Sequence, residues 1–197
     1  MKNRSFATVF ALPLFVGILT ALPSQAQTST WTIDPNHSQA GFEIRHLAVS
    51  NVRGTISKIT GSVVWDEKDA SKDSVVADLD TTTVDTTVEA RDKHLKSDEF
   101  FNVVKYPTMH FQSTSVRRVG GKLQVVGNLT LAGVTKSVTL DVDGPVPPQP
   151  GMHGGLVSGF SATTTIKRAD FNFGPKYVPP ALGDEVKITI DVEIGKK

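Results

Sequence analysis

The chain has 197 residues, with 21 Lys and Arg against 20 Asp and Glu, and no cysteine. A balance this close to neutrality excludes a general nucleic-acid binder, which needs a clustered positive field. The absence of cysteine excludes a disulfide scaffold, a thiol nucleophile and a thiolate metal centre, so the fold must stand on its core alone.

The first segment is "MKNRSFATVFALPLFVGILTALPSQAQT". Lys2 and Arg4 form a basic head, Phe6 to Leu22 an apolar run, and Ser24-Gln25-Ala26 a small-x-small cleavage pattern. Residues 1–26 therefore read as a cleaved secretory signal peptide, with Pro13, Pro23 and the cleavage pattern arguing against a retained anchor. Residues 27–197 then form one domain, long enough to bury a core. No later stretch approaches the roughly 18 apolar residues that span a bilayer, so no stable membrane insertion is expected.

Period-two alternation, the mark of half-buried strands, dominates the chain after residue 31. Ala40, Phe42, Ile44 and His46 share a face of "QAGFEIRH"; "VRGTISKITGSVVW" reads as one strand, or as two around Gly61. Val75, Ala77 and Leu79 share a face of "SVVADLD". Only "TTVEARDKHLKS" reads as helical, with Val88, Arg91, Asp92 and Leu95 at helical spacing and Thr86 or Thr87 as the N-cap. Ser97-Asp98-Glu99 starts a second short turn, and Pro107 hands over to a strand. Strand faces then recur at Met109, Phe111 and Ser113; at Leu123, Val125, Gly127, Leu129 and Leu131; and at Val138, Leu140 and Val142. The proline-rich "GPVPPQPGMHGG", 144–155, reads as a mobile connection, neither strand nor helix. Two more faces complete the chain, Phe160, Ala162, Thr164 and Ile166, then Val186, Ile188, Ile190, Val192 and Ile194.

About eight strands with one helical excursion near 86–101 predict an all-β antiparallel barrel or sandwich. Ala40, Ala77, Gly127, Ala162 and Thr164 are small residues among bulky neighbours on the apolar faces. An eight-stranded barrel can be filled by its side chains or can hold one small ligand, and small inner residues favour the second.

Motifs for chemistry are sparse. His37, His46, His94, His110 and His153 lack zincin spacing, so no metal site is expected. There is no Gly-x-Ser-x-Gly elbow, phosphate loop or dinucleotide fingerprint, so neither catalytic residues nor a cofactor are expected. The charged stretch "ARDKHLKSDEFF" allows two readings. Arg91, His94 and Lys93 form a cationic patch for an anionic or carbonyl-bearing head group. Alternatively, Arg91 and Asp92 tie the helix to strand ends, while Asp98 and Glu99 complement the next turn. In "IKRADFNFGPKYVPP", Ile166 and Arg168 continue the Phe160 face, and Phe171, Phe173 and Tyr177 either line an opening or cover a strand exit.

Five stretches taken together resemble the YceI-like family of bacterial periplasmic lipid-binding proteins: "WTIDPNHSQAGFEIRHL", "VRGTISKITGSVVWD", "DTTVEARDKHLKSDEFFNVVKYPTMHF", "GNLTLAGVTKSVTLDV" and "IKRADFNFG". The resemblance implies a periplasmic, eight-stranded lipocalin-like barrel with an elongated apolar cavity, a polyisoprenoid or similar amphiphilic lipid as ligand, and no catalysis. The loop 144–155 matches none of these motifs. The cavity lining is then expected at Ala40, Phe42, Ile44, Ala77, Leu79, Phe111, Leu129, Phe160, Ala162 and Ile166, and the head group at His46, Arg91, His94 and Arg168. Two other readings stay open. One is an enzyme or redox partner acting on a bound quinone or lipid, with His94 or His46 as acid–base. The other is a solid structural or adhesive β-domain. An exposed strand edge leaves homodimer pairing open as well.

Overall fold

The computed structural model describes residues 28–196, so the signal-peptide reading of 1–26 lies outside the described residues. The strands are β1 (Ser29–Ile33), β2 (Gln39–His46), β3 (Ser50–Ser57), β4 (Ile59–Trp65), β5 (Ser74–Asp80), β6 (Thr108–Val119), β7 (Lys122–Leu131), β8 (Val134–Asp143), β9 (Gln149–Pro150), β10 (Leu156–Lys167) and β11 (Leu182–Lys196). One α-helix, α1 (Glu89–Lys96), interrupts them.

All named strand pairs are antiparallel, and β11 closes the sheet. One side of β11 pairs with β10 from Leu156↔Lys196 to Lys167↔Glu185. The other side meets β2 and then β1, so β1 and β2 are two halves of one long strand. The segments β3 and β4 pair with β2 and β1 in turn and form a second interrupted strand. Counting each pair once gives a closed eight-stranded barrel. Among the described residues β3 and β9 remain edge strands, and β8 meets β10 only at Asp141–Asp143.

Two local expectations are corrected. The break in 52–65 falls at Lys58, which takes φ +56°, and not at Gly61. Gly61 lies inside β4, opposite Ala77, where a Cβ would sit 2.0 Å from the Val76 carbonyl oxygen, so only glycine fits. The proline-rich loop, expected to hold neither strand nor helix, contains β9 and is tied to β10. Gln149–Pro150 pairs with Leu156–Val157, the Val146 amide donates to the Gly159 carbonyl at 3.0 Å, and Ser158 Oγ donates to the Val146 carbonyl at 2.6 Å.

One end of the barrel is solid. Trp31, Ile33, Val63, Val116, Leu123, Val125, Val142 and Ile194 are buried there, with Trp31 and Trp65 ring centroids 5.7 Å apart. Phe160, expected in the cavity lining, packs against this core instead. Gly127 does not widen the interior either: the Phe111 ring occupies the place of its side chain, 2.4 Å from where a Cβ would sit.

Candidate functional site

The other half of the barrel is not filled. Ala40, Phe42 and Ile44 on β2, Ala77 and Leu79 on β5, Phe111 on β6, Leu129 on β7, and Ala162, Thr164 and Ile166 on β10 line a cavity of about 440 Å³. That lies in the size range of small-molecule sites. Residues with no place in the expected lining also contribute, among them Val52 and Ile56 on β3 and Val186, Ile188 and Ile190 on β11. Phe42, Ile44, Ile166, Val186, Ile188 and Ile190 point inward yet remain only half-buried, while Trp31, Ile33, Val63, Val125 and Ile194 at the solid end are buried. Native interiors close on their side chains to crystal-like density, so half-buried inward residues mark unfilled space.

At the mouth, α1 turns Arg91, His94 and Leu95 toward the cavity. These positions lie three and four residues apart and share one helix face. The N-cap is Val88, with no side-chain cap, in place of the expected threonines. Buried Thr86 has a different task. Its amide donates to Asp92 Oδ1 at 2.8 Å and its hydroxyl to the same oxygen at 2.5 Å. Arg91 Nε donates to Thr86 Oγ1, and Arg91 Nη2 to the Thr86 carbonyl, both at 2.8 Å. Arg91 and Asp92 thus fasten the helix to the chain before it. Among the described residues no carboxylate forms an ion pair with Arg91, and its Nη1 group has no hydrogen-bond partner. It stands at the mouth as a cation with donors to spare.

His94 belongs to a second cluster. Its Nε2 lies 2.8 Å from Glu99 Oε2 and 3.2 Å from the Tyr177 hydroxyl. That hydroxyl donates to Glu99 Oε2 at 2.7 Å, and Lys176 Nζ donates to Glu99 Oε1 at 2.6 Å. The hydrogen bond with His94, then those from Lys176 and Tyr177, hold the Glu99 carboxyl down at about 2. The same carboxylate raises the Tyr177 phenol and the Lys176 ammonium above their ordinary values, since both give it a hydrogen bond. Phe100 stacks on Tyr177 with centroids 5.3 Å apart, and His94 meets the Phe100 ring edge-on at 5.0 Å. The end of α1 is thereby joined to the 172–181 loop. Neither Lys176 nor Tyr177 could be tied to Glu99 from sequence, because no local pattern links residues so far apart.

Arg168 lines the cavity but has no free donor for a head group. It is only 5% exposed, and its guanidinium donates to the carbonyls of Gly183, Phe173, Gly174, Tyr177 and Leu182. Burial pushes its pKa down, against a smaller opposing pull from Asp184. It staples the loop between β10 and β11. His46 sits at the exposed end of β2, on the cavity rim, and its ring makes no hydrogen bond among the described residues.

One grouping within metal-ligating reach exists among the described residues: Asp34, His37 and Glu193. His37 Nδ1 lies 2.9 Å from Asp34 and 3.7 Å from Glu193, outside the cavity lining. The Asp34 hydrogen bond raises the His37 pKa, which is the behaviour of an exposed ion pair.

A closed antiparallel barrel with an apolar chamber, a helix over its mouth and a few polar groups beside that helix defines a class of ligand-holding, lipocalin-like β-barrels. Within that class the chain belongs to the YceI-like domain family, which its residues 31–194 match. It is 39% identical over 199 residues to Protein YceI of Salmonella agona, covering 98% of this chain and 97% of that one. The Campylobacter jejuni YceI crystal structure superposes with a TM-score of 0.69 at 32% identity, over 78% of this chain and 90% of that one. A polyisoprenoid binding domain from Saccharophagus degradans, implicated in plant cell wall breakdown, superposes with a TM-score of 0.62 over 85% of this chain and 98% of that domain. At 14% identity it shares the fold alone.

Proposed function

We propose that the chain is an exported, periplasmic binding protein, not an enzyme. Its ligand is a long-chain isoprenoid lipid of the isoprenoid quinone or prenyl phosphate type, with the tail in the barrel and the head group beside Arg91. The observation that carries this reading is the half-filled barrel, whose inward Phe42, Ile44, Val186, Ile188 and Ile190 face open space. The name of the Saccharophagus degradans neighbour is consistent with the ligand class.

Energetics favour a carrier. A tail of about 40 carbons, at about 0.8 kcal/mol per buried carbon, would nominally gain over about 30 kcal/mol on leaving water. That exceeds the affinity ceiling of about 20 kcal/mol. The relevant reference is a bilayer, from which transfer into an apolar barrel is nearly neutral. Cavity shape and head-group contacts then decide what is held, and near-neutral exchange permits loading and release in transport, storage or stress protection. The test is equilibrium titration of residues 27–197 with a prenyl phosphate and with an isoprenoid quinone. Saturable 1:1 binding of either is the expected result; binding of neither at any attainable concentration contradicts the reading.

A further inference from the structure

One stretch of the rim, opposite in character to the polar groups beside α1, is apolar on its outer side as well as its inner one. The turn joining β2 to β3 presents Leu47 and Val49, which are 55% and 78% exposed. The loop before β11 presents Val178, 64% exposed, followed by Pro179, Pro180 and Ala181. The two segments are joined directly, the Leu47 amide donating to the Ala181 carbonyl at 3.1 Å. Leu47 and Ala181 also line the cavity, so the outer patch adjoins the chamber wall.

The turn is built against local preference. Leu47 and Ala48 take φ +51° and +55°, and the Val49 amide closes the turn onto the His46 carbonyl at 3.0 Å. A two-residue turn with both central φ positive calls for Asn-Gly or Asp-Gly. Here Leu and Ala carry that conformation, and strain held at a rim with exposed apolar tips points to function and away from folding. Charge adds direction. Residues 45–51 and 175–183 contain Arg45 and Lys176 and no Asp or Glu. Arg45 is exposed and bonded to neutral Asn51, while Lys176 shares its charge with Glu99.

We propose that this rim docks on an anionic lipid bilayer, with Leu47, Val49 and Val178 in the interface, so that a lipid tail passes between membrane and cavity without crossing water. Basic residues beside an apolar anchor are the combination that holds a peripheral protein to such a surface. The inference rests on the lipid-carrier reading and deepens it by naming the surface from which the ligand comes.

The test is flotation of residues 27–197, which hold every element of the barrel, with vesicles of phosphatidylethanolamine and phosphatidylglycerol. Val49→Asp/Val178→Asp is the variant, since both side chains are exposed and neither lines the cavity. The unsubstituted protein is expected to float, and the variant to need at least about tenfold more lipid for half-binding. Capture of a prenyl phosphate from detergent solution is expected to be equal in the two. Equal flotation of both proteins, or flotation of neither, overturns the docking surface. A variant-sensitive dimer seen by sedimentation in place of vesicle binding overturns it too, by giving the face to a second copy. Failure of capture from detergent by both proteins contradicts the carrier reading, and flotation lost in the variant still upholds docking.

Discussion

Tyr177 donates a 2.7 Å hydrogen bond to Glu99, and through it the loop before β11 is fastened to the turn that follows α1. Glu99 also meets His94 and Lys176, and together these contacts hold its carboxyl at about 2, against an ordinary value of 4.5. A carboxyl depressed on folding adds stability that is fully present above the ordinary value and lost as pH falls toward the folded one. The mouth is therefore expected to stay fastened at neutral pH and to loosen between about pH 4.5 and pH 2. Carboxyl chemical shifts should place the Glu99 titration near 2. In Glu99→Gln the Tyr177 phenol, now without its anionic acceptor, should titrate at lower pH than in the unsubstituted protein. An ordinary Glu99 titration would contradict the cluster.

Arg168 is expected to matter for folding and not for head-group choice. Its guanidinium serves five carbonyls of the 173–183 segment from a buried position. Arg168→Met strands those acceptors, and the cost should be about 3 kcal/mol or more in urea unfolding, since each unmet buried polar group costs about 1–3 kcal/mol. Unchanged stability with a selective loss of lipid affinity would assign Arg168 to the ligand instead.

Arg91 is the residue expected to sense the head group. Its Nε and Nη2 are taken by Thr86, and Nη1 remains. Arg91→Gln should weaken a prenyl phosphate by about tenfold to a hundredfold, given about 1.5–3 kcal/mol for a charge-assisted hydrogen bond. An uncharged prenol of the same length should lose much less. Equal losses for the two ligands, in parallel titrations, would mean that Arg91 acts only by anchoring α1.

Thr164 separates a chamber from a solid core. It sits on β10 between Ala162 and Ile166, half-buried and in the cavity wall. Thr164→Phe should fill the space, leaving the thermal midpoint unchanged or higher and abolishing 1:1 lipid binding. In a well-packed interior the same change would cost about 1–3 kcal/mol by overpacking. A clear fall in stability would favour the solid β-domain.

The barrel was legible because its strands alternate cleanly: Ala40, Phe42, Ile44 and His46, or Val186, Ile188 and Ile190, carry their facing in their spacing. The chamber was legible in part, from the small Ala40, Ala77 and Ala162. Gly127 misled because its missing side chain is occupied by a neighbour's ring, a contact between strands that spacing along one strand does not encode. Phe160 misled for a related reason. Periodicity gives the face of a strand but not the height along the barrel, and Phe160 packs on the core outside the cavity lining. The Glu99–Lys176–Tyr177 cluster and the role of Arg168 were hidden because both depend on where an irregular loop returns. The Lys58 break rests on a positive φ at a residue type that gives no warning of one.

The central claim is that the chamber holds an isoprenoid lipid in the cell. Native mass spectrometry of the mature protein from its own periplasm, followed by organic extraction and lipid identification, tests it most directly. A stoichiometric long-chain isoprenoid in addition to the polypeptide mass is the expected result. A bare polypeptide that takes up neither isoprenoid quinone nor prenyl phosphate on incubation would contradict it.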